Sequence, residues 1–264
     1  MSQDAATAVI VKTRFSLRWR GELPTREWLG QRLELLKKIT LPSLEAQTMG
    51  QFDWAILTDP ALEAEVCELF REVDTPGRTT IVPVAATSPT VREEVSESLR
   101  RGRERFLIVR LDSDDALVPD ALERIVCAAG DFGDEEGLVN LPSGVVLDWG
   151  TGRMWKREFR ERYQGPFYAL LHSNRQRVLF SGGDHRNARE GRRVAVVPGL
   201  SWLQTVHAGN IDNRLYGRTV AERIKTFLKR TVDSLSPADI AIDDVKPLSR
   251  DESSTVLERF GVRR

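Results

Sequence analysis

Three carboxylates at the end of an apolar run are the residues of this chain best suited to chemistry. Asp112, Asp114 and Asp115 lie within four positions and directly follow Phe106–Leu111, a segment rich in β-forming residues. In open α/β sheets, ligands bind at the carboxyl ends of the strands. Carboxylates packed this closely repel one another unless a cation lies between them. The pattern therefore predicts a site for a divalent cation, Mn²⁺ or Mg²⁺, that holds a diphosphate.

The chain before this acidic cluster alternates apolar strands with amphipathic helices. We predict strands over Ala8–Val11, Asp53–Leu57, Thr79–Val84 and Phe106–Leu111. We predict helices after an N-cap at Thr25, from Pro42, over Ala61–Val73, over Val91–Arg101 and from Pro119. This order is typical of an α/β fold whose sheet is mostly parallel in the N-terminal half, with helices on both faces.

The second half of the chain is less regular and predicts a mixed sheet. Gly137–Trp149 resembles a hairpin with its turn at 142–144, and 181–193 has the composition of a loop. Further strands are predicted over Met154–Phe159, Phe167–Leu171, Val194–Val197 and Trp202–Val206. We therefore predict one Rossmann-type domain over 1–218, with a half at 8–115 that carries the predicted diphosphate site and a second half at 116–218.

The C-terminal part, 219–264, is predicted to be an amphipathic helix and a polar tail. The helix, over 219–235, has a basic polar face and could either contact a membrane surface or dock on the domain. The tail, 236–264, is polar and is predicted to be largely disordered. We find neither a signal peptide nor an apolar run long enough to span a bilayer, which predicts a cytoplasmic protein, peripheral at most to the inner face of the membrane.

Composition narrows the classes of function. Lys+Arg and Asp+Glu both number 39, so the net charge is zero, whereas a nucleic-acid-binding protein normally has a basic excess. Phosphate-binding glycine fingerprints and the HExxH and GxSxG motifs are absent from the sequence. These observations disfavour nucleic-acid binding and kinase, dehydrogenase, zincin or serine-hydrolase chemistry.

Asp112-x-Asp114 resembles the DxD motif of GT-A glycosyltransferases, and this resemblance implies that three other places could take part in the same site. Thr13-Arg14-Phe15 follows the first predicted strand, where Arg14 could meet a phosphate and Phe15 could pack on a nucleobase. Asp59 ends the second strand, where its carboxylate could accept the N3–H of uracil or thymine. Either place could instead be a surface turn. His207 follows an apolar segment and could be a metal ligand or a structural histidine.

A wider set of motifs resembles the putative rhamnosyltransferase family of bacterial glycosyltransferases. The resemblance spans about residues 8 to 215. The motifs that carry it are Thr13-Arg14-Phe15, Leu41-Pro42-Ser43-Leu44-x-x-Gln47-Thr48, Phe52-x-Trp54-x-Ile56, Arg110-Leu111-Asp112-Ser113-Asp114-Asp115 and His207-x-Gly209-Asn210.

This resemblance implies a GT-A-like fold and a metal-dependent hexosyltransferase. The donor would be a nucleotide diphosphate sugar, such as one carrying rhamnose, and the acceptor a glycan or a lipid-linked glycan precursor. Asp114 would bind the metal, Asp112 the metal or the donor ribose, and His207 the same metal. Thr13, Arg14, Phe15 and Asp59 would belong to the donor site.

The catalytic base is the least determined part of this hypothesis. An inverting transfer needs a carboxylate that deprotonates the acceptor hydroxyl. Asp184, in a Gly-rich loop that could close over the acceptor, is our first candidate, with Asp148 and Glu158 as rivals. A retaining reaction would require no such base, and Asp184 could equally be a loop carboxylate paired with an arginine.

Two alternatives remain at the level of the sequence. A phosphohydrolase of the haloacid-dehalogenase type also uses a DxD motif, but normally on the first strand of its sheet, whereas three predicted strands precede it here. A catalytically silent domain that binds a nucleotide or carbohydrate is the other alternative, and the intact acidic triplet argues against it.

Overall fold

The computed structural model describes residues 7–18, 22–71, 73, 78–84, 105–159, 167–173, 191–207 and 245–262. Within these residues the chain forms two sheets. The larger sheet has seven strands, which are β1 (Ala8–Ser16), β2 (Asp53–Thr58), β3 (Arg78–Pro83), β4 (Phe106–Arg110), β6 (Gly137–Asn140), β9 (Tyr168–His172) and β10 (Arg193–Val196). The smaller has five, which are β5 (Ala116–Leu117), β7 (Ser143–Asp148), β8 (Met154–Glu158), β11 (Leu200–Val206) and β12 (Val245–Pro247).

The larger sheet is mostly parallel. Its strand order is β10-β6-β9-β4-β1-β2-β3, and β9 is antiparallel to both of its neighbours while the other pairings are parallel. Parallel sheets need cover on both faces, which explains why every residue of β2 is buried. The structure thus confirms the predicted mixed α/β fold.

The smaller sheet differs from one prediction. We expected Gly137–Trp149 to be a hairpin, and this is wrong, because β6 joins the larger sheet and β7 begins the smaller one. Pro142 lies between them and has no N–H with which to continue a ladder. Leu141 is buried and its carbonyl accepts a hydrogen bond from Trp202 Nε1 at 2.8 Å, which fixes the chain where it crosses between sheets.

Five α-helices are described, of which the first four lie close to predicted helices and the fifth was not predicted. They are α1 (Arg26–Leu35), α2 (Leu41–Glu45), α3 (Glu63–Arg71), α4 (Ala121–Gly130) and α5 (Arg250–Arg259), with a π-helical segment over Leu36–Thr40 and a 3₁₀ turn over Pro60–Leu62. Thr25 is the N-cap of α1, as predicted, since its hydroxyl accepts a hydrogen bond from the N–H of Trp28 at 3.2 Å.

Two apolar layers cover the two faces of the larger sheet. Successive side chains of a strand point to opposite faces, so Val9 and Val11 join the cluster that includes residues of α1, α3 and α4, while Ala8 and Ile10 join a second cluster. The predicted helix over 91–101 and most of the predicted loop over 181–193 lie outside the described residues.

The end of the chain differs from the predicted polar tail. β12 pairs antiparallel with β8, α5 follows with a capping box at Ser249, and Phe260 and Val262 are buried in the main core. These two apolar side chains at the end of α5 explain why the segment is ordered despite its polar composition. The amphipathic helix predicted over 219–235 lies outside the described residues. None of the helices in the described part of the chain has the length and apolar character needed to span a bilayer.

Candidate functional site at the carboxyl edge of the larger sheet

The acidic segment lies where the sequence places it, at the carboxyl end of β4 and beside β1. Lys12 of β1 is opposite Arg110 of β4, and the N–H of Leu111 donates to the carbonyl of Lys12 at 3.1 Å. Asp112 and Asp114 therefore leave the sheet next to the last residues of β1. Although the two aspartates are neighbours in sequence, they contact different partners.

Asp112 is held by two arginines. Its Oδ1 accepts a hydrogen bond from Arg14 Nε at 3.3 Å, and its Oδ2 accepts one from Arg110 Nη2 at 3.1 Å. Burial would raise the pKa of this carboxyl, but the two arginines outweigh burial and hold the pKa far below its usual range. Asp112 is therefore ionised at neutral pH, and charge-assisted hydrogen bonds of this kind fix its position.

Lys12 adds a third cation to this place. The side chain is only 6% exposed, although lysine is rarely buried. Burial, followed by repulsion from Arg110 and Arg14, lowers the pKa of Lys12 to about 7, against the attraction of Asp112. We call Lys12, Arg14 and Arg110, together with Asp112, the basic cluster.

Tyr168 borders the basic cluster from β9. Its hydroxyl is hydrogen-bonded to Arg110, and burial raises the pKa of the phenol, so the group stays neutral. For Arg110, burial opposes the charged form, but attraction to Asp112 and Tyr168 outweighs it and raises the pKa of the guanidinium. Arg110 is consequently charged under all ordinary conditions.

Asp114 has its own partners on α1 and at the end of β11. Its Oδ2 accepts a hydrogen bond from Arg32 Nη1 at 2.8 Å and lies 3.0 Å from His207 Nε2. Arg32 Nη1 is also 3.3 Å from His207 Nε2, and its guanidinium packs over the ring of Trp28 at 5.1 Å. The structure therefore places Asp114 and His207 in direct contact, and a guanidinium nitrogen of Arg32 contacts both of them.

Asp115 secures the strand that carries His207. Its Oδ1 accepts a hydrogen bond from the backbone N–H of Thr205 at 2.8 Å, two residues before His207. Burial, then repulsion from Asp114 and Asp112, raises the pKa of this carboxyl well above its usual value. Asp115 thus joins the acidic segment to β11.

The residues around Asp114 fit a divalent cation in part. Two ligands bound at right angles to Mg²⁺ at about 2.1 Å are about 3.0 Å apart, which is the separation of Asp114 Oδ2 and His207 Nε2. Arg32 Nη1 lies where it touches both atoms, so a cation would have to displace it. In the described residues, no three His, Cys, Asp or Glu side chains converge as metal ligands, and Asp112 faces arginines instead. The metal remains a prediction.

The structure corrects two of the predicted donor-site residues. β1 extends to Ser16, beyond the predicted end at Val11, so Thr13-Arg14-Phe15 lies within the strand and its side chains alternate between faces. Thr13 is buried and its hydroxyl accepts a hydrogen bond from Trp54 Nε1 at 2.9 Å. Phe15 is buried against Phe70, with ring centroids 5.1 Å apart, rather than open to a nucleobase. Arg14, on the opposite face, reaches the site.

Asp59 lies directly after β2, as predicted. Its Oδ1 caps the 3₁₀ turn by accepting from the N–H of Ala61 at 2.9 Å, and its Oδ2 accepts from Arg18 Nε at 3.2 Å. The carboxylate is therefore fixed at the same sheet edge. Its contact with a base stays a prediction.

The candidates for the base are less favourably placed. Asp184 lies outside the described residues. Asp148 is opposite Val206 and thus close in register to His207, but its carboxylate accepts from the N–H groups of Gly150 and Thr151 and so caps the β7–β8 turn. Glu158 is an exposed residue at the end of β8.

Sequence reasoning missed Lys12, Arg32, Arg110 and Tyr168. A signal was present for two of them, since Lys12 and Arg110 interrupt otherwise apolar strands, where a charged side chain needs a reason. Arg32 lies 82 positions before Asp114, on a helix whose orientation the sequence does not define. Tyr168 had no such signal because tyrosine is an ordinary strand residue.

Comparison with protein families identifies the class of protein. The family described as "Putative rhamnosyl transferase" matches residues 18–219, most of the chain. The chain therefore belongs to this family. A search among curated proteins finds no match.

Solved structures match the chain at low identity, and the chain covers 36% to 61% of the length of the first three of them. S. aureus TarS 1-349 in complex with UDP-GlcNAc has 11% identity and a TM-score of 0.45, with 96% of this chain and 71% of that chain covered. The TarS 1-349 complex with UDP has 11% identity and a TM-score of 0.42, covering 76% of this chain and 61% of the other. A 4-diphosphocytidyl-2C-methyl-D-erythritol synthase from Anaerococcus prevotii has 14% identity and a TM-score of 0.37, covering 86% and 100%. Similarity at this level does not bear on substrate or mechanism.

Proposed function

We propose that this protein is a glycosyltransferase that moves a sugar from a nucleoside diphosphate donor to a hydroxyl of a glycan or lipid-linked acceptor, with rhamnose as the first candidate sugar. One observation carries the proposal. Asp112 and Asp114 lie, each already paired with cations, at the carboxyl edge of a mostly parallel sheet in a chain of the rhamnosyl transferase family. That edge is the general position of ligand sites in open α/β sheets.

In the proposed donor complex, the diphosphate lies at the ends of β1 and β4. Asp114 and His207 would hold a divalent cation once Arg32 has moved away from its contacts with both. When bound, such a cation supplies Lewis-acid stabilisation of the leaving diphosphate. Asp115 keeps His207 in reach by fixing β11 through the N–H of Thr205.

Asp59 is proposed to select the nucleotide. Its carboxylate is held in place by Arg18 and by the turn that it caps, and a fixed acceptor can recognise the N3–H of uracil or thymine. A guanine nucleotide has a different donor pattern and would bind more weakly. We therefore expect dTDP or UDP to bind in preference to GDP.

For the transfer itself we propose inversion. The acceptor oxygen would form the new bond to the anomeric carbon while the bond to the diphosphate breaks, and a carboxylate would take the acceptor proton. Asp184 remains our first candidate for that base. Asp148 would have to give up the turn that it caps, which makes it the weaker rival.

Calorimetric titration tests the donor site. We would titrate dTDP, UDP and GDP, with and without Mn²⁺, into the wild type and Asp114→Asn. Asp134→Asn is the matched control, because that carboxylate is fully exposed and pairs only loosely with Arg105 at 3.8 Å. We expect Mn²⁺ to strengthen the binding of one nucleotide, and we expect Asp114→Asn to lose this gain and Asp134→Asn to keep it. Binding that is equal in all three proteins, or absent from the folded wild type, would overturn the proposal.

A further inference from the structure

The basic cluster brings three basic side chains around one carboxylate. Lys12 and Arg14 lie two residues apart on one face of β1, and Arg110 lies beside Lys12 on β4. Asp112 accepts hydrogen bonds from both arginines, so one carboxylate is shared between them. An anion bound here would be attracted by both arginines, and by Lys12 whenever its ammonium is protonated.

Lys12 continues a face of β1 that begins with apolar residues. The residues that precede Lys12 on the same face, Ala8 and Ile10, belong to an apolar cluster, and an apolar side chain would extend it. Burying an ammonium beside two guanidinium groups costs stability. Such a cost is typical of functional sites, where repulsion between like charges is relieved when a ligand of opposite charge binds.

The spacing of the cations indicates the size of the ligand. Two residues along a strand span about 6.6 Å, and neighbouring strands are about 4.8 Å apart, so the cluster covers an area broader than one phosphate group. Arginine binds phosphate oxygens in a bidentate way, and Arg14 is 43% exposed, which leaves part of the cluster open to solvent. A diphosphate matches both the extent and the charge.

We propose that Lys12, Arg14 and Arg110 form a binding site for a diphosphate that operates without a divalent cation, and that Asp112 is the internal counter-ion which the ligand displaces. The identification of this diphosphate with that of the sugar donor rests on the proposed function. The site itself does not, because inorganic pyrophosphate carries the same group.

This proposal assigns Asp112 a role opposite to that of a metal ligand. A ligand to a bridging cation contributes attraction, so its loss weakens binding of a diphosphate. An internal counter-ion competes with the ligand for Arg14 and Arg110, so its loss strengthens binding when no metal is present. The Asp112→Asn substitution, which keeps the shape and removes the charge, separates the two roles.

The experiment is calorimetric titration of inorganic pyrophosphate in EDTA into the full chain. We compare the wild type with Lys12→Met, Asp112→Asn and the control Lys38→Met, whose lysine is exposed on the π-helical segment. We expect wild-type binding without metal, weaker by about tenfold in Lys12→Met, tighter by about tenfold in Asp112→Asn and unchanged in the control. Thermal unfolding of each variant confirms that it is folded.

Two results would overturn the proposal, and both differ from failure of the proposed function. Absence of pyrophosphate binding in EDTA, or weaker binding in folded Asp112→Asn, excludes the metal-independent site even if nucleotides bind with Mn²⁺. Conversely, pyrophosphate binding with the expected order of variants supports the site even if no nucleotide binds. In that case the assignment to a nucleotide donor fails and the cluster remains a diphosphate site.

Discussion

Replacing Lys12 by methionine should stabilise the protein at neutral pH and flatten the pH dependence of its stability. Lys12 is buried beside Arg110 and Arg14, and its pKa is about 7 in the folded protein against the usual 10.5. Between these two values the unfolded chain binds more protons than the folded one. Stability therefore rises with pH across this window, because folding no longer has to expel a proton or bury a charge.

The size of the effect follows from the difference between the two pKa values. Raising the pH from 7 to 10 should increase the free energy of unfolding of the wild type by about 3 kcal/mol relative to Lys12→Met. Methionine has a similar length and no charge, so the variant lacks this contribution. Groups that titrate equally in both proteins cancel in the difference.

The assay is urea-induced unfolding of both proteins at several values between pH 7 and pH 10. Lys38→Met is the control, since its lysine is 53% exposed and its curve should parallel that of the wild type. Parallel plots of unfolding free energy against pH for the wild type and Lys12→Met would show that Lys12 does not have a lowered pKa in the folded protein. That result would contradict the prediction.

Three further predictions concern the elements around the site. Asp115→Ala should lose about 1–3 kcal/mol of stability because the N–H of Thr205 on β11 loses its acceptor. Asp115→Asn should retain this stability because its amide oxygen can still accept the hydrogen bond. Equal losses of stability in urea unfolding would contradict this. Gly144→Ala should cost about 3 kcal/mol of stability, since a Cβ would lie 2.0 Å from the Trp202 ring. Gly150→Ala, whose Cβ would lie 3.5 Å from its nearest neighbour, should be tolerated. Similar melting temperatures of the two variants would contradict the close packing of Gly144 on Trp202. Asp59→Ala should cost about 1 kcal/mol of stability through the lost cap and also reduce selectivity among dTDP, UDP and GDP; unchanged selectivity in calorimetry would remove Asp59 from the donor site.

Strands β2 and β4 were predictable because their side chains are mostly apolar. Asp53–Thr58 and Phe106–Arg110 are short buried runs flanked by turn residues, and the position of the acidic cluster follows directly from them. The cap at Thr25 was equally readable, since capping depends on neighbours in sequence.

The failures have physical causes of a different kind. Gly137–Trp149 looked like a hairpin because periodicity does not tell which sheet a strand joins, and the burial of Leu141 depends on Trp202, 61 residues away. Phe15 was expected at the open edge because β1 was predicted too short, which hid the alternation that directs this ring inward. The C-terminal segment was predicted to be largely disordered because it is polar, but Phe260 at the end of α5 is buried in the main core.

The sequence predicted the positions of the site's carboxylates but not the basic residues that pair with them. Asp112 and Asp114 are marked by their position after a strand, but nothing local indicates that one pairs with Arg110 and the other with Arg32. Arg32 reaches Asp114 across 82 positions and His207 across 175. Contacts over such distances depend on how α1 and β11 pack, which single-sequence patterns do not encode.

A crystal structure of the protein with dTDP or UDP and Mn²⁺ tests the proposed donor site most directly. We expect the diphosphate to lie at the carboxyl ends of β1 and β4, within hydrogen-bonding distance of Arg14 and Arg110 and next to Asp114. A nucleotide bound elsewhere on the protein, with Asp112 and Asp114 still paired to their arginines, would contradict it.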